Sequence, residues 1–138
     1  MSQPGLSETN GVDPSKPAGE LGVKLGIEFL ELTPERAVGR MPVAGNTQPY
    51  GILHGGAHLV LAESLGSASA HVHAGPGRIA VGIEISASHS RSASSGYVTG
   101  TCTAISLGRT LTVHEIVLTD DEGRRLSTVR MTNLLRDA

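Results

Sequence analysis

With 138 residues and a formal net charge of −2, the chain has the size of one domain and lacks the Lys/Arg cluster with which proteins grip nucleic acid or anionic lipid. Its single cysteine, Cys102, excludes an intrachain disulfide, and neither a charged start followed by an apolar run nor a stretch of membrane-spanning length is visible. These features lead us to expect a cytoplasmic protein whose partners are small molecules and copies of itself, with no role for nucleic acid or membrane.

Residues 1–20 are rich in Ser, Pro and Gly with little to bury, and read as a flexible tail ahead of a domain over 21–138. Apolar runs at 25–32 and 37–43 flank Thr33-Pro34-Glu35-Arg36, where proline pre-sets a turn, so a β-hairpin is expected. Turn residues fill 46–51. From Ala57 to Val72 the sequence reads as a helix with apolar residues on every side, which predicts burial all round. The period then changes to two: Ile79, Val81, Ile83 and Ile85 alternate with smaller or polar residues, as in a half-buried strand. Strands at 96–107, 111–119 and 125–135 follow, the last two joined through Asp120-Asp121-Glu122-Gly123. With no Trp, two Tyr and one Phe, the core must be built from small and branched aliphatics, part of it completed by a partner subunit. Two strands, one helix and four more strands suggest an α+β fold, an antiparallel β-sheet wrapped around one central helix.

Between Arg40 and Arg78 the one formally charged residue is Glu63, placed in the middle of the apolar helix. A carboxylate removed from water costs several kcal/mol unless it is paired, and burial raises its pKa toward the range of a base or nucleophile. The alternative is a glutamate facing a wet interface or a partner's arginine. Just before the helix, His54-Gly55-Gly56 offers backbone N–H groups that no side chain shields, a ready oxyanion site, although glycines also serve simple close packing. Together with the Gln48 amide these groups supply the parts for acyl transfer. At about 100° per residue, His54 and Glu63 point to nearly opposite sides of one helix. A site drawn from two subunits resolves this, one giving Gln48, His54 and Gly55 and the other Glu63 and Ser67. Ser67 shares the Glu63 face, to support the carboxylate or simply to let helices pack closely.

Other motifs fit less well. His54 and His58 have zinc-helix spacing, but Gly55 stands where a metalloprotease needs glutamate, and the remaining histidines show no ligand spacing, so no metal is expected. Ser64 lacks the first glycine of a nucleophile elbow and falls inside the helix.

The segments Gln48-Pro49-Tyr50-Gly51-Ile52-Leu53-His54-Gly55-Gly56-Ala57 and Leu61-Ala62-Glu63-Ser64-Leu65-Gly66-Ser67 resemble those of the hotdog-fold acyl-coenzyme A thioesterases. The likeness is nearest to the subgroup of 1,4-dihydroxy-2-naphthoyl-, enterobactin-proofreading and 4-hydroxybenzoyl-coenzyme A enzymes; phenylacetate-degradation relatives place aspartate at the Glu63 position. The resemblance implies hydrolysis of an acyl-coenzyme A, its acyl group aromatic, with Glu63 as nucleophile or general base. It also implies that Gly55 polarises the carbonyl, that Gln48 and His54 position thioester and water, and that Ser67 supports the attack. Coenzyme A would run along Gly82, His89, Ser90, Arg91, Ser92, Ser106, Leu107, Gly108, Arg109, Thr110 and Leu111, with Arg91 and Arg109 on phosphates. Coenzyme A is then part of the substrate and no further cofactor is expected; the assembly would be a dimer or a dimer of dimers. A hotdog protein that only binds acyl thioesters, or a dehydratase, is the alternative. Glu63 together with Gln48 favours the hydrolase.

Overall fold

The computed structural model describes residues 17–138. A short helix α1 (Gly19–Leu25) leads to β1 (Glu28–Leu32) and β2 (Arg36–Pro42). The long helix α2 (Gly55–Ala74) follows, then β3 (Arg78–His89), β4 (Tyr97–Leu107), β5 (Leu111–Thr119) and β6 (Arg125–Asp137). All six strands join one antiparallel sheet in the order β1-β2-β4-β5-β6-β3. The sheet wraps α2, as the order of elements predicts.

The turns form where the sequence places them. Thr33 closes the first hairpin by donating its N–H and its hydroxyl to Arg36 O, both over 2.8 Å. Asp120 Oδ1 accepts from Glu122 N over 3.0 Å and from Arg124 N over 2.9 Å, holding the β5–β6 turn. Helix α1 was not foreseen. The expected tail falls largely on residues 1–16, which lie outside the described residues, but Gly19–Leu25 is helical and Gly26, at φ 77°, ends it in the left-handed conformation. The first strand therefore begins at Glu28 rather than at 25.

Two expectations about burial need correcting. Ala57, His58, Leu61, Ala62, Leu65, Gly66, Ser69 and Ala70 of α2 are buried, whereas Glu63, Ser64, Ser67 and Ala68 are not. The sheet curls round one side of the helix and stops, leaving a slot between its two edge strands, β1 and β3. Nor is β3 half-buried. Bonded on one side only, to β6, it is open over most of its length, with Val81 at 38% and Ile83 at 55% exposure.

Leu65 sets the seat of α2. Gly39 and Gly100 face each other across β2 and β4. A Cβ on Gly39 would lie 2.9 Å from Leu65 Cδ2, and one on Gly100 2.7 Å from Leu65 Cδ1. The two glycines thus form a notch that takes one methyl each, and Leu65 is fully buried there. Gly100→Ala should destabilise the fold by about 1–3 kcal/mol through overpacking, and Leu65→Ala by about 2–5 kcal/mol through an unfilled notch. Because both act on one contact, urea unfolding of the double variant should show a loss smaller than the sum.

The buried side of α2 also carries His58, only 3% exposed. Burial, and then the neighbouring His89 imidazole, push its pKa down from 6.5 to about 4. Burial pushes His114 in the same direction. In the window from about pH 6.5 to about pH 4 the unfolded chain therefore binds more protons than the folded one, so stability should be full above the window and fall as pH drops through it. Unfolding measured across that range should show the decline, and His58→Gln should flatten part of it.

Candidate active site

The loop leading into α2 is tied down by its backbone. Thr47 and Leu53 form an antiparallel bridge, Gln48 N–H donates to Ile52 O over 2.9 Å, and Leu53 N–H donates to Ala93 O over 2.8 Å. Tyr50 N–H donates to Gln48 Oε1, so the amide oxygen is engaged locally and the NH2 end is available to a ligand. His54 is the N-cap, at φ −60° and ψ 133°, and its Nδ1 accepts the Gly56 N–H over 2.8 Å. Gly55 occupies the first helical position, where N–H groups lack intrahelical partners and the helix dipole is positive. Its missing side chain matters: a Cβ there would lie 3.2 Å from His89 Nε2.

Gln48, Gly55, His58, His89, Arg91 and Ser92 line one cleft of about 360 Å³ at this helix end. His54 and His58 do not converge as a metal pair, because one caps the helix outside and the other turns inward to Ser127. Among the described residues no group of three His, Cys, Asp or Glu side chains is placed to hold a metal, and no helix is long and apolar enough to cross a membrane. Burial pushes the Cys102 thiol up to about 12, so it offers no thiolate nucleophile at neutral pH.

Glu63 lies in a different place. It projects into the slot between β1 and β3, a cleft of about 420 Å³ floored by Glu63, Ser67 and His71 and walled by Leu21, Leu32 and Ala80. The carboxylate is exposed, so the removal from water expected of it is not supplied by its own chain. On its other side it leans over β3, where a Cβ on Gly82 would lie 3.1 Å from Glu63 Oε2. Ser67 shares this cleft, as expected, but its hydroxyl donates over 3.5 Å to Asn133 Oδ1. Asn133 was missed. It sits on β6 opposite Gly82, fully buried, in a run whose alternation gave no hint that a polar side chain points inward.

The segments expected along coenzyme A do not meet within one chain. His89 pairs with Ser127, near the start of β6, whereas Leu111 pairs with Leu134, near its end. His89, Ser90, Arg91 and Ser92 therefore sit at one end of the sheet, and Ser106 to Leu111 at the other, close to Gly82. Arg91 and Arg109 make no ion pair among the described residues. Each end thus carries one of the two arginines expected on phosphate, one half of the amide and carboxylate groups, and one half of the expected phosphate path.

Known proteins share this architecture. The EntH proofreading thioesterase of Cronobacter turicensis is 45% identical over 115 residues, covering 83% of this chain and 84% of its own. A Haemophilus influenzae thioesterase crystal structure superposes with a TM-score of 0.82 at 33% identity, covering 86% of this chain and 84% of that one. A mutant thioesterase from Pseudomonas aeruginosa gives a TM-score of 0.82 at 34% identity, covering 95% and 99%. The sheet wrapped round one helix is the hotdog fold of those enzymes. Residues 50–127, which run from the loop before α2 to the start of β6, match the family described as the thioesterase superfamily, and the chain belongs to it.

Proposed function

We propose that the protein hydrolyses an aromatic acyl-coenzyme A, with Glu63 of one subunit facing Gln48, His54 and Gly55 of another. The thioesterase superfamily supplies the reaction class, hydrolysis of a thioester. The observation that carries the finer reading is that, among the described residues, Glu63 is the one carboxylate on the 420 Å³ cleft, whose remaining wall is apolar apart from Ser64, Ser67 and His71. A slot of that size and lining suits a flat aryl group.

The register supports the two-subunit reading. The free edge of β3 is a template for another strand, and Val81 and Ile83 on it are exposed. Antiparallel pairing of β3 with its copy brings the Arg78 end of one chain beside the His89 end of the other. Glu63, Gly82 and 106–111 of one subunit then meet Gln48, Gly55 and 89–92 of its partner. The same pairing covers the open helix face and takes Glu63 out of bulk water.

In such a site the thioester carbonyl oxygen accepts from the Gly55 N–H at the positive end of α2, which draws charge from the carbonyl carbon. Glu63 either attacks that carbon or removes a proton from a water that does. The C–S bond breaks and the thiolate leaves; when Glu63 is the nucleophile, water then hydrolyses the acyl–Glu63 anhydride, and by either route the water gives its oxygen to the acid and a proton to the thiolate, so that the products are the free acid and coenzyme A. Arg91 and Arg109 are placed to hold phosphate oxygens with planar forks.

Glu63→Gln keeps shape and removes the base or nucleophile. Its kcat on the best aryl-coenzyme A should fall about a hundredfold or more with little change in KM, and steady-state rates near wild type would refute the assignment. The shared site has its own test. Glu63→Gln and Gln48→Ala proteins, each of low activity, are unfolded and reassembled as an equal mixture. Mixed dimers should restore about one quarter of wild-type activity, since half of the dimers are mixed and each holds one intact site. Sites made within one chain would recover nothing.

A further inference from the structure

Behind the helix-end cleft, three side chains form a chain of contacts. His89 Nδ1 lies 2.6 Å from Ser127 Oγ, and Ser127 Oγ lies 3.3 Å from His58 Nδ1. The two rings are 4.9 Å apart at their centroids and inclined by 41°. Ser127 is fully buried and cannot meet a substrate, so this is no nucleophilic triad. His89 is different: it is exposed, lines the cleft, and presents Nε2 beside Gly55.

The proton count constrains the chain. One hydroxyl proton lies between two ring nitrogens, and a neutral imidazole carries one N–H. His58 is neutral at physiological pH, since burial and the nearby His89 push its pKa down to about 4. Two orders satisfy both contacts. In one, His58 Nδ1–H donates to Ser127 Oγ, which donates to His89 Nδ1 and leaves the His89 proton on Nε2. In the other every donor is reversed and His89 Nε2 becomes an acceptor. The distances favour the first, because the short contact suits an O–H donor and the long one a ring N–H.

We propose that His58, acting through Ser127, is a positioning residue that holds His89 as the Nε2–H tautomer, so that its N–H joins the Gly55 N–H as a second donor at the thioester carbonyl. This rests on the hydrolytic reading above. A ring packed against Gly55 with its tautomer fixed costs no reorganisation when negative charge develops on the carbonyl oxygen. It also gives the cleft a reason to bury a histidine in place of an aliphatic residue. His58 lies at the back of the cleft, only 3% exposed, and its effect on His89 passes through the hydroxyl.

The test is a long-range 1H–15N spectrum of the histidine-labelled full chain, which reads the protonated ring nitrogen directly. In the wild type His89 should carry its proton on Nε2, and a proton on Nδ1 overturns the proposal without any variant. His58→Phe keeps a ring of similar size and removes the donor, freeing Ser127 to turn. His89 should then become a mixture of tautomers, and kcat should fall about tenfold with KM within about twofold. His58→Asn places an amide nitrogen near the lost Nδ1 and should restore the single tautomer and most of kcat. Ser127→Ala, a smaller change, should reproduce the His58→Phe spectrum should that variant fold poorly. A His89 that stays fully Nε2-protonated in the folded variants, or an unchanged kcat, overturns the relay. The spectrum does not depend on turnover, so loss of the hydrolytic reading through an active Glu63→Gln would be seen separately.

Discussion

The rest of the structure depends on how closely α2 approaches the sheet. Leu65 enters a notch that exists only because Gly39 and Gly100 face each other across β2 and β4 without side chains. That contact fixes the rotation of the helix about its axis. With Leu65 turned into the sheet, Glu63, Ser67 and His71 turn into the slot between β1 and β3. On the same helix, His58 is carried down to Ser127 of β6. A side chain at either glycine would push the helix outward and rotate both chemical faces at once, so packing and chemistry share one constraint.

A second constraint is the open edge of β3. The sheet ends there with exposed apolar side chains and an unpaired backbone beside the Glu63 cleft. Such an edge is a template for another strand, and under the proposed function the site too is completed by a second copy. In the proposed assembly each deficiency cures the other. The strand that pairs with β3 brings the helix end that the carboxylate lacks, and the apolar surface it covers supplies the dry surroundings in which a dipole and a carboxylate act most strongly.

The sequence made much of this readable. Element order, the helix and the last three strands were legible because a long apolar run up to Val72 gives way to a two-residue alternation from Ile79 and because Pro34 and the 120–123 cluster punctuate the turns. Glu63 stood out as an isolated charge in an apolar run. What the pattern concealed was direction. An all-apolar helix implies burial on every side, yet Glu63, Ser64, Ser67 and Ala68 are not buried, because an apolar run does not say which side of the helix the sheet leaves uncovered. Helix α1 was missed because seven residues, from Gly19 to Leu25, carry too little periodicity to register. Ser127 and Asn133 were equally silent, and His58 registered only through a zinc-helix spacing that the structure does not use, since their significance lies in distances across α2, β3 and β6.

The position of α1 has an evolutionary consequence. Ala18 and Leu21 form part of the wall of the Glu63 cleft, Ala18 as the N-cap of α1 packed against the core and Leu21 within that short helix, outside the sheet and 53% exposed. Selection can therefore change the size or polarity of that wall without disturbing the elements that carry the carboxylate or the helix-end amides. Under the proposed function, acyl preference is free to drift while the residues assigned to hydrolysis stay in place. A lineage needing to clear a different thioester has an inexpensive route in the few residues ahead of β1.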